Sequence, residues 1–538
     1  MESELSYASG RGDVPLVGRT IGADLGRTAE RLPDHEALVD VPSGQRWTYA
    51  ELDEAVDRLA SALLGEGVAR GERVGIWSPN CPEWVLVQYA TARIGAVLVN
   101  INPAYRTHEL QYVLNQSSIR VLVAAPSFKT SDYAAMIAEV RAACPALRDV
   151  VLLGDDRWNA LASAPVDGPA LAARAATLGF DDPINIQYTS GTTGFPKGAT
   201  LSHHNILNNG YFVGRLLDYT EADRVCVPVP FYHCFGMVMG NLGATSNGAT
   251  IVIPAPAFDP AATLQAVQDE RCTSLYGVPT MFIAELGLAD FSAYDLSSLR
   301  TGIMAGAPCP VEVMKRVVAE MHMTEVTIMY GMTETSPVST MTRRTDDLER
   351  RVSTVGTVMP HVEVQVTDPV TGRTVPRGTP GELCTRGYSV MLGYWEAPEQ
   401  TAGAIDAAGW MHTGDLATMD DAGYVAIVGR IKDMVIRGGE NIYPREVEEY
   451  LYRHPAIDDV QVIGVPDATY GEELMAWVRV VPGASLTIEE LRTFCQGQLA
   501  HYKVPRYLHL CDEFPMTVTG KVRKVEMRER AAEILGLT

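Results

Sequence analysis

The sequence lacks several features that would place it in other classes of protein. No stretch approaches the roughly 18 uncharged apolar residues that a membrane-spanning helix needs. The first five residues, Met-Glu-Ser-Glu-Leu, have neither the basic nor the apolar region of an export signal, so we expect a cytoplasmic protein. The nine cysteines include no C-x-x-C pair and no repeat of metal-ligand spacing, a pattern that suits a reducing compartment.

Positive charge is also scarce. Lys and Arg total 44 against 66 Asp and Glu, which gives a formal net charge of −22 at pH 7. A field of this sign repels polyanions, and it argues against nucleic acid or an anionic membrane surface as a partner. An anionic ligand would therefore have to be held by a local cluster of donors and cations.

The length and the hydrophobic pattern predict an α/β protein with several folding units. A chain of 538 residues is too long for one hydrophobic core. Periodic helices alternate with short apolar strands in two series, and a stretch rich in Gly/Pro turns follows. We expect two α/β layered subdomains and a small β-rich subdomain within residues 1–430, and a small α+β domain at residues 431–538.

Three local signals predict where helices begin. Thr48 and Thr487 are each followed three residues later by a glutamate, Glu51 and Glu490, which completes a capping box. Pro444 suits the first position of a helix, where its missing N–H costs nothing.

A Gly/Thr-rich loop carries the clearest functional signal. Residues 188–198 read Tyr-Thr-Ser-Gly-Thr-Thr-Gly-Phe-Pro-Lys-Gly, after a predicted strand and before a helix capped by Ser202. The glycines allow backbone N–H groups to converge, the hydroxyls add donors and Lys197 adds a cation, as a di- or triphosphate requires. Pro196 stands where a Walker A loop needs glycine, which excludes a P-loop NTPase.

Six further motifs accompany this loop in order along the chain. They are Pro-Phe-Tyr-His-Cys-Phe-Gly at 230–236, Tyr-Gly-Met-Thr-Glu-Thr at 330–335, Gly-Glu-Leu-Cys-Thr-Arg-Gly at 381–387, Trp-Met-His-Thr-Gly-Asp at 410–415, Gly-Arg-Ile-Lys-Asp at 429–433 and Pro-Met-Thr-Val-Thr-Gly-Lys at 515–521. With the loop, this set resembles the adenylate-forming superfamily of AMP-binding enzymes, which includes the acyl-CoA synthetases. The resemblance covers essentially the whole chain.

The resemblance implies a nucleotide site. It assigns ATP or AMP contacts to Thr189, Ser190, Gly191, Thr192, Thr193, Gly194, Lys197, Gly306, Ala307, Pro308, Tyr330, Gly331, Met332, Thr333, Asp415, Arg430 and Lys521. Within this set Tyr330 would stack on adenine, Thr333 would touch phosphate, and Asp415 with Arg430 would hold the ribose. Glu334 would hold Mg²⁺, and Lys521 would join Lys197 in stabilising charge during adenylation.

The residues taken alone leave simpler roles open. Glu334 at a strand end is compatible with a solvated carboxylate, Asp415 with an Asx turn or helix cap, and Lys521 with a surface lysine. His233 between aromatic residues fits a packed core histidine, and we assign it no acid or base role.

The resemblance also implies an acyl and CoA tunnel and a hinge. The tunnel residues would be His233, Cys234, Gly236, Ala305, Arg437, Gly438 and Gly439. The hinge would be Lys432, about which the small domain would rotate between a face for adenylation and a face for thioester formation. The small residues would leave room for an alkyl chain, and Gly-Gly would tolerate a pantetheine arm.

The predicted reaction joins a carboxylic acid to coenzyme A at the expense of ATP, with Mg²⁺ as cofactor. Residues 101–106 and 391–395 resemble the medium-chain fatty acyl-CoA synthetases of the family member 2 type. Four alternatives stay open: an aryl acid substrate, an acyl-AMP ligase that loads a carrier protein, a luciferase-like side activity and a noncatalytic nucleotide-binding module. A homodimer is also compatible with the sequence.

Overall fold

The computed structural model describes residues 4–189, 196–307, 309–438, 440–516 and 522–536. The chain divides into two compact units. The first comprises Met1–Tyr7, Gln365–Cys384 and His412–Thr538, and the second comprises Ala8–Val364 and Thr385–Met411. The mixed α/β class predicted from the sequence is confirmed, whereas the domain boundary at residue 430 stays a prediction.

A seven-stranded sheet forms one layer of the second unit. In spatial order its strands are Gly393–Tyr394, Lys197–Ser202, Pro183–Thr189, Val97–Asn100, Arg73–Trp77, Val121–Ala124 and Asp149–Leu152. The four pairings from Pro183–Thr189 to the edge strand Asp149–Leu152 are parallel. The strand Lys197–Ser202 is antiparallel to both of its neighbours. The apolar strands read as continuous hydrophobic runs because helices cover a parallel sheet on both faces.

A nine-stranded sheet forms the second layer of this unit. Its strands, in spatial order, are Thr357–Val358, Val338–Met341, Glu325–Gly331, Thr301–Ala305, Ser274–Gly277, Arg224–Cys226, Thr250–Ile253, Glu36–Asp40 and Gln45–Thr48. The two sheets are the two predicted α/β layers. A short hairpin pairs Ser127–Phe128 with Ser131–Asp132.

Helices surround both sheets of the second unit. The α-helices are Ile21–Arg31, Tyr49–Gly65, Pro82–Ile94, Thr107–Gln116, Tyr133–Val140, Asp156–Ala162, Gly168–Ala175, His203–Leu216, Gly243–Asn247, Pro260–Asp269, Pro279–Leu286, Val311–Glu320, Leu348–Ser353 and Pro398–Ala404. A π-helix spans Phe235–Leu242, and 3₁₀ turns span Arg141–Ala143, Phe291–Ala293 and Thr333–Thr335. The capping box of Thr48 and Glu51 begins Tyr49–Gly65 as predicted.

A five-stranded sheet lies largely in the first unit and is the β-rich part predicted from the Gly/Pro turns. Its strands, in spatial order, are Tyr7–Ser9, Val362–Thr367, Gly381–Gly387, Met411–Met419 and Val425–Arg430. The last two strands pair antiparallel.

The C-terminal part of the first unit is an α+β fold. Its sheet has the strands Glu440–Ile442, Val435–Arg437, Gly471–Val480, Ile457–Asp467 and Tyr507–Leu510. Its helices are Pro444–Leu451, Ile488–Cys495 and Lys524–Ile534, with 3₁₀ turns at Ile431–Asp433 and His501–Lys503. Pro444 and the capping box of Thr487 and Glu490 begin their helices as predicted.

No helix in these described ranges combines the length and the apolar character that crossing a membrane requires.

Candidate functional site

The phosphate loop connects two antiparallel strands. Thr189 ends the strand Pro183–Thr189 and pairs with Lys197, which begins the strand Lys197–Ser202. Only after this strand does Ser202 cap the helix His203–Leu216. The predicted cap at Ser202 is confirmed, and the six-residue strand Lys197–Ser202 precedes this helix.

Glu334 lies at the start of the loop. It is part of the 3₁₀ turn Thr333–Thr335, is 5% exposed, and is the predicted Mg²⁺ ligand. Its Oε1 accepts a hydrogen bond of 2.8 Å from the Tyr394 hydroxyl and a longer one of 3.4 Å from the Thr189 hydroxyl. The end of the loop strand and the predicted metal carboxylate are thus brought together.

Tyr394 is a site residue that the sequence analysis missed. Besides its hydrogen bond to Glu334, its ring lies 5.0 Å from the Lys197 Nζ, which is a cation–π contact. Burial, reinforced by the neighbouring Glu334 carboxylate, raises the pKa of Tyr394 far above its ordinary value, so its hydroxyl keeps its proton. Tyr394 therefore links two predicted site residues that are 137 positions apart in sequence, Lys197 and Glu334 (334 − 197 = 137).

A second tyrosine holds the far end of the loop. The Tyr112 hydroxyl donates to the carbonyl of Pro196 at 3.1 Å. Tyr112, Lys197 and Tyr394 also line a cavity of about 330 Å³. The described residues on both sides of the loop are thus tied to the core of the seven-stranded sheet.

Four residues predicted to contact the nucleotide lie at the ends of neighbouring strands. Gly306 and Ala307 are exposed and directly follow the strand Thr301–Ala305, while Tyr330 and Gly331 end the adjacent strand Glu325–Gly331. Gly306 has φ of +91°, a conformation that favours glycine. In parallel sheets the carboxyl ends of adjacent strands are the usual place for ligands.

Thr333 connects the nucleotide residues to the predicted acyl tunnel. It is buried beside Glu334, and its hydroxyl lies 3.9 Å from the Cys234 Sγ. The preceding Met332 donates its backbone N–H to the Thr335 hydroxyl at 3.1 Å, which fixes the turn.

His233 and Gly236 have clear packing roles in the same segment. The His233 Nδ1 accepts the backbone N–H of Phe235 at 3.1 Å, and the Cys234 Sγ lies 3.6 Å from this nitrogen. A Cβ on Gly236 would lie 2.4 Å from the Pro230 carbonyl oxygen, so close backbone packing requires glycine there. Ala305 is buried at its strand end. The tunnel roles of these residues stay predictions.

Asp415 and Arg430 form the second predicted group, in the first unit. They are direct partners in the antiparallel pairing of Met411–Met419 with Val425–Arg430. The Arg430 Nε donates to the Asp415 Oδ1 at 2.9 Å, and the arginine side chain is 62% exposed against 12% for the aspartate. The pair thus combines a nearly buried acceptor with an exposed donor, and a sugar diol could hydrogen-bond to both.

Glu382 supports the segment of the strand Met411–Met419 that carries Asp415, a contact that no sequence signal indicated. Its Oε1 accepts the backbone N–H of Gly414 at 3.0 Å, and its Oε2 lies 2.9 Å from the His412 Nδ1. The Thr413 hydroxyl donates to the carbonyl of Leu383 at 2.6 Å. These contacts join the motifs at 381–387 and 410–415.

The predicted CoA face contains a buried ion pair. The Arg437 guanidinium contacts the Glu473 carboxylate at 2.6 Å and lies 4.0 Å above the Tyr470 ring. The hydrogen bond to Glu473 raises the pKa of Arg437 above its ordinary value. Gly438 follows and donates its N–H to the carbonyl of Tyr470 at 2.8 Å.

The predicted hinge residue is exposed. Lys432 lies in the turn Ile431–Asp433, and its carbonyl accepts a hydrogen bond of 3.3 Å from Arg528. The hinge role stays a prediction.

Eight predicted site residues lie outside the described residues. They are Ser190, Gly191, Thr192, Thr193, Gly194, Pro308, Gly439 and Lys521.

The comparison with protein families agrees with the motif set. The AMP-binding enzyme model matches residues 25–395, and the model of the AMP-binding enzyme C-terminal domain matches residues 446–521.

Curated relatives match over nearly their whole length. The chain is 47% identical to the proposed acyl-CoA synthetase YngI of Bacillus subtilis (strain 168), covering 97% of this chain and 99% of that protein. It is 44% identical to the mitochondrial medium-chain acyl-CoA ligase ACSF2 of Danio rerio, covering 99% and 91%.

Solved structures share the fold. ATP-bound MatB from Rhodopseudomonas palustris is 32% identical with a TM-score of 0.84, covering 95% of this chain and 99% of that one. The anthranilate CoA ligase AuaEII with anthranoyl-AMP is 27% identical with a TM-score of 0.86, covering 96% and 98%. The geometry, the two family models and the relatives agree, and the chain belongs to the AMP-binding enzyme family.

Proposed function

We propose that this protein is an ATP-dependent fatty acyl-CoA ligase that forms AMP. In the first step a carboxylate oxygen attacks the α-phosphorus of ATP, the bond to the β-phosphate breaks, and acyl-AMP and pyrophosphate form. In the second step the CoA thiol loses its proton and attacks the acyl carbon. The bond to AMP breaks, and acyl-CoA and AMP leave.

The observation that carries this proposal is the contact of Glu334 with Thr189 on one side of the loop and its link, through Tyr394, to Lys197 on the other. A buried carboxylate, a loop-end hydroxyl and a lysine linked through Tyr394 converge where the family binds ATP. The relatives named acyl-CoA synthetase and acyl-CoA ligase support the thioester product.

The described residues support the first step by position. The attacking acid and ATP are both anions, so positive charge must lie where negative charge builds up on the phosphates. Lys197 can supply it from the strand that leaves the loop, and its contact with the Tyr394 ring orients its side chain. We propose that Lys521 adds a second cation, in agreement with its place in the motif at 515–521.

Glu334 has the chemistry of a Mg²⁺ ligand. Carboxylate and phosphate oxygens are the ligands that Mg²⁺ prefers, and the hydrogen bonds that reach the Glu334 Oε1 come from neutral hydroxyls, which leave its charge in place. When bound, Mg²⁺ would neutralise charge on the triphosphate. Tyr394 and Thr189 would keep the carboxylate oriented.

Asp415 would recognise the ribose. A fixed carboxylate can accept hydrogen bonds from both ribose hydroxyls, and a site built in this way discriminates strongly against ligands that lack one. Arg430 already contacts this carboxylate and is exposed enough to turn toward a ligand.

A medium-chain fatty acid is the substrate we propose. The support is the similarity to the medium-chain acyl-CoA ligase ACSF2, together with a buried segment at residues 234–242 with few polar side chains. An aryl acid is the second candidate, favoured by the similarity to an anthranilate CoA ligase at 27% identity.

A panel of acids tests the substrate class. Pyrophosphate release should be measured with straight-chain acids from butyrate to palmitate and with benzoate and anthranilate, each with and without CoA. We expect the highest kcat/KM for thioester formation in the middle of the straight-chain series. A maximum at an aryl acid would overturn the fatty acid assignment and leave the ligase chemistry standing.

We also propose a cytoplasmic location and, as in the sequence-based expectation, a possible homodimer. Size-exclusion chromatography with light scattering would decide the second point.

A further inference from the structure

A group of three potential metal ligands lies on two strands of the five-stranded sheet. Glu382 and Cys384 are two residues apart on Gly381–Gly387, so their side chains point to the same face. His412 lies on the adjacent strand Met411–Met419. One ligand atom of each residue lies within 4.8 Å of the other two.

The distances suit a single small ion. The His412 Nδ1 lies 2.9 Å from the Glu382 Oε2 and 3.6 Å from the Cys384 Sγ. Zn²⁺ binds nitrogen and oxygen at about 2.0–2.2 Å and sulfur at about 2.3 Å, which in a tetrahedral site puts the ligand atoms about 3.3–3.7 Å apart. The three atoms need only small movements to reach this geometry.

We propose that Glu382, Cys384 and His412 bind a divalent transition-metal ion, with Zn²⁺ as the best fit. A mixed oxygen, sulfur and nitrogen set favours borderline ions over Mg²⁺, which prefers oxygen alone. The site is thus separate in chemistry from the Glu334 carboxylate. No sequence signal indicated this site, because one cysteine and one histidine 28 residues apart (412 − 384 = 28) match no metal-ligand spacing.

Burial gives the group both shielding and access. The Cys384 side chain is fully buried and the Glu382 side chain is 11% exposed, while the His412 side chain is 36% exposed. An ion can therefore enter past the imidazole and be bound by two ligands that water does not reach freely.

The surrounding hydrogen bonds orient the ligands. The other oxygen of Glu382 accepts the backbone N–H of Gly414, and the Thr367 hydroxyl lies 3.6 Å from the Cys384 Sγ. Such outer contacts fix ligand orientation in metal sites. Because Gly414 directly precedes Asp415, a bound ion would also stiffen the strand segment that carries the proposed ribose ligand.

A plain hydrogen-bonded triad is the alternative. In that arrangement the His412 Nδ1 pairs with the Glu382 carboxylate, and the Cys384 thiol lies 3.6 Å from the same nitrogen and 3.9 Å from the Glu382 backbone carbonyl oxygen. A bound metal ion would replace these contacts with one bond from each of the three ligand atoms. The triad is the result that a negative metal titration would establish.

Cobalt titration of the full-length, untagged protein tests the proposal. After treatment with a chelator, the protein should bind one equivalent of Co²⁺ and develop a near-ultraviolet thiolate-to-cobalt charge-transfer band, which one equivalent of Zn²⁺ should abolish. The absence of this band in the wild-type protein would overturn the proposal. Because the readout is metal binding, its failure is distinguishable from failure of the ligase assignment.

Matched variants locate the ion. Cys384→Ser should lose the charge-transfer band, and His412→Gln, altered at a partly exposed side chain, should weaken Co²⁺ binding at least 10-fold. Cys511→Ser, at a partly buried cysteine in the same unit, should keep the band and the affinity. A band that survives in Cys384→Ser, or unchanged affinity in His412→Gln, would contradict the assignment.

Discussion

The two carboxylates proposed to hold ATP differ in the partners that surround them. Glu334, in the second unit, accepts hydrogen bonds from the neutral hydroxyls of Tyr394 and Thr189. Asp415, in the first unit, contacts the exposed cation Arg430. Both are nearly buried. The difference suggests that Glu334 keeps its negative charge for a cation, whereas Asp415 has its charge balanced and uses its oxygens for hydroxyl groups.

The largest expected effect comes from the charge of Glu334. Glu334→Gln keeps the size and the hydrogen-bond acceptor but removes the charge, so adenylation should fall roughly 100-fold or more in kcat/KM, as when one preorganised electrostatic contact is lost. Pyrophosphate release measures this step.

Glu399→Gln is the matched control, since Glu399 is an exposed glutamate in the helix Pro398–Ala404. Activity of Glu334→Gln within a few fold of the control would remove the case for a metal-binding role.

The second-largest effect is expected for Asp415→Asn, which should respond differently from Glu334→Gln when the nucleotide lacks a ribose hydroxyl. Asp415→Asn should raise KM for ATP by about 10-fold or more, because an amide replaces one acceptor oxygen with a donor. Asp415→Asn should also lower the ratio of kcat/KM for ATP to kcat/KM for 2′-deoxy-ATP. Glu334→Gln should leave this ratio unchanged. Steady-state kinetics with both nucleotides measures the ratio. An unchanged ratio in Asp415→Asn would contradict the ribose assignment.

A smaller effect is expected for Tyr394→Phe. The Glu334 oxygen keeps the Thr189 hydroxyl as a second donor, so the loss should cost about 1.5 kcal/mol, the lower end for a hydrogen bond to a charged group. We expect kcat/KM to fall roughly 10-fold, with a higher Mg²⁺ concentration needed for half-maximal rate. Tyr294→Phe, in the core beside the nine-stranded sheet, should leave both values unchanged. Equal Mg²⁺ dependence in wild type and Tyr394→Phe would refute the orienting role of this hydroxyl.

The smallest effect on catalysis is expected for substitution of His203. This residue should instead affect how the free energy of unfolding depends on pH. This buried imidazole accepts the backbone N–H of Ile21 at 3.2 Å, and burial lowers its pKa from 6.5 to about 4. Because the unfolded chain binds the proton more tightly, the stabilisation is complete above pH 6.5 and is lost as the pH falls toward 4. At pH 5 the loss should be about 2 kcal/mol.

Urea denaturation at pH 7 and pH 5 measures this loss. His203→Asn, which can still accept the Ile21 N–H, should lose less stability between the two pH values than wild type, while His501→Gln, at an exposed histidine, should behave as wild type. An equal loss in His203→Asn and wild type would show that other groups cause it.

Features that depend on neighbouring residues could be predicted from the sequence, whereas contacts between residues far apart in the chain could not. Capping boxes at Thr48 and Thr487 are local, and both were confirmed. Tyr394 was missed because it meets Glu334 only through the edge pairing of Gly393–Tyr394 with Lys197–Ser202. The strand Lys197–Ser202 itself was overlooked because Lys-Gly-Ala-Thr-Leu-Ser has little of the β-branched, alternating character of a strand.

The resemblance to a family predicted site residues whose roles could not be predicted from their local sequence pattern. Asp415 and Arg430 belong to two separate motifs, and neither motif alone indicates that they pair, because the pairing arises from the register of two strands. The contacts of Glu382 with His412 and Gly414 were not indicated by either approach, since they require the strands Gly381–Gly387 and Met411–Met419 to be adjacent.

Oxygen transfer tests the central claim most directly. A medium-chain fatty acid labelled with ¹⁸O in both carboxylate oxygens should be incubated with ATP, Mg²⁺ and CoA, and the AMP analysed by mass spectrometry. An acyl-AMP intermediate predicts one ¹⁸O atom in each AMP and none in pyrophosphate. Unlabelled AMP, or ADP with labelled orthophosphate, would contradict the adenylate mechanism.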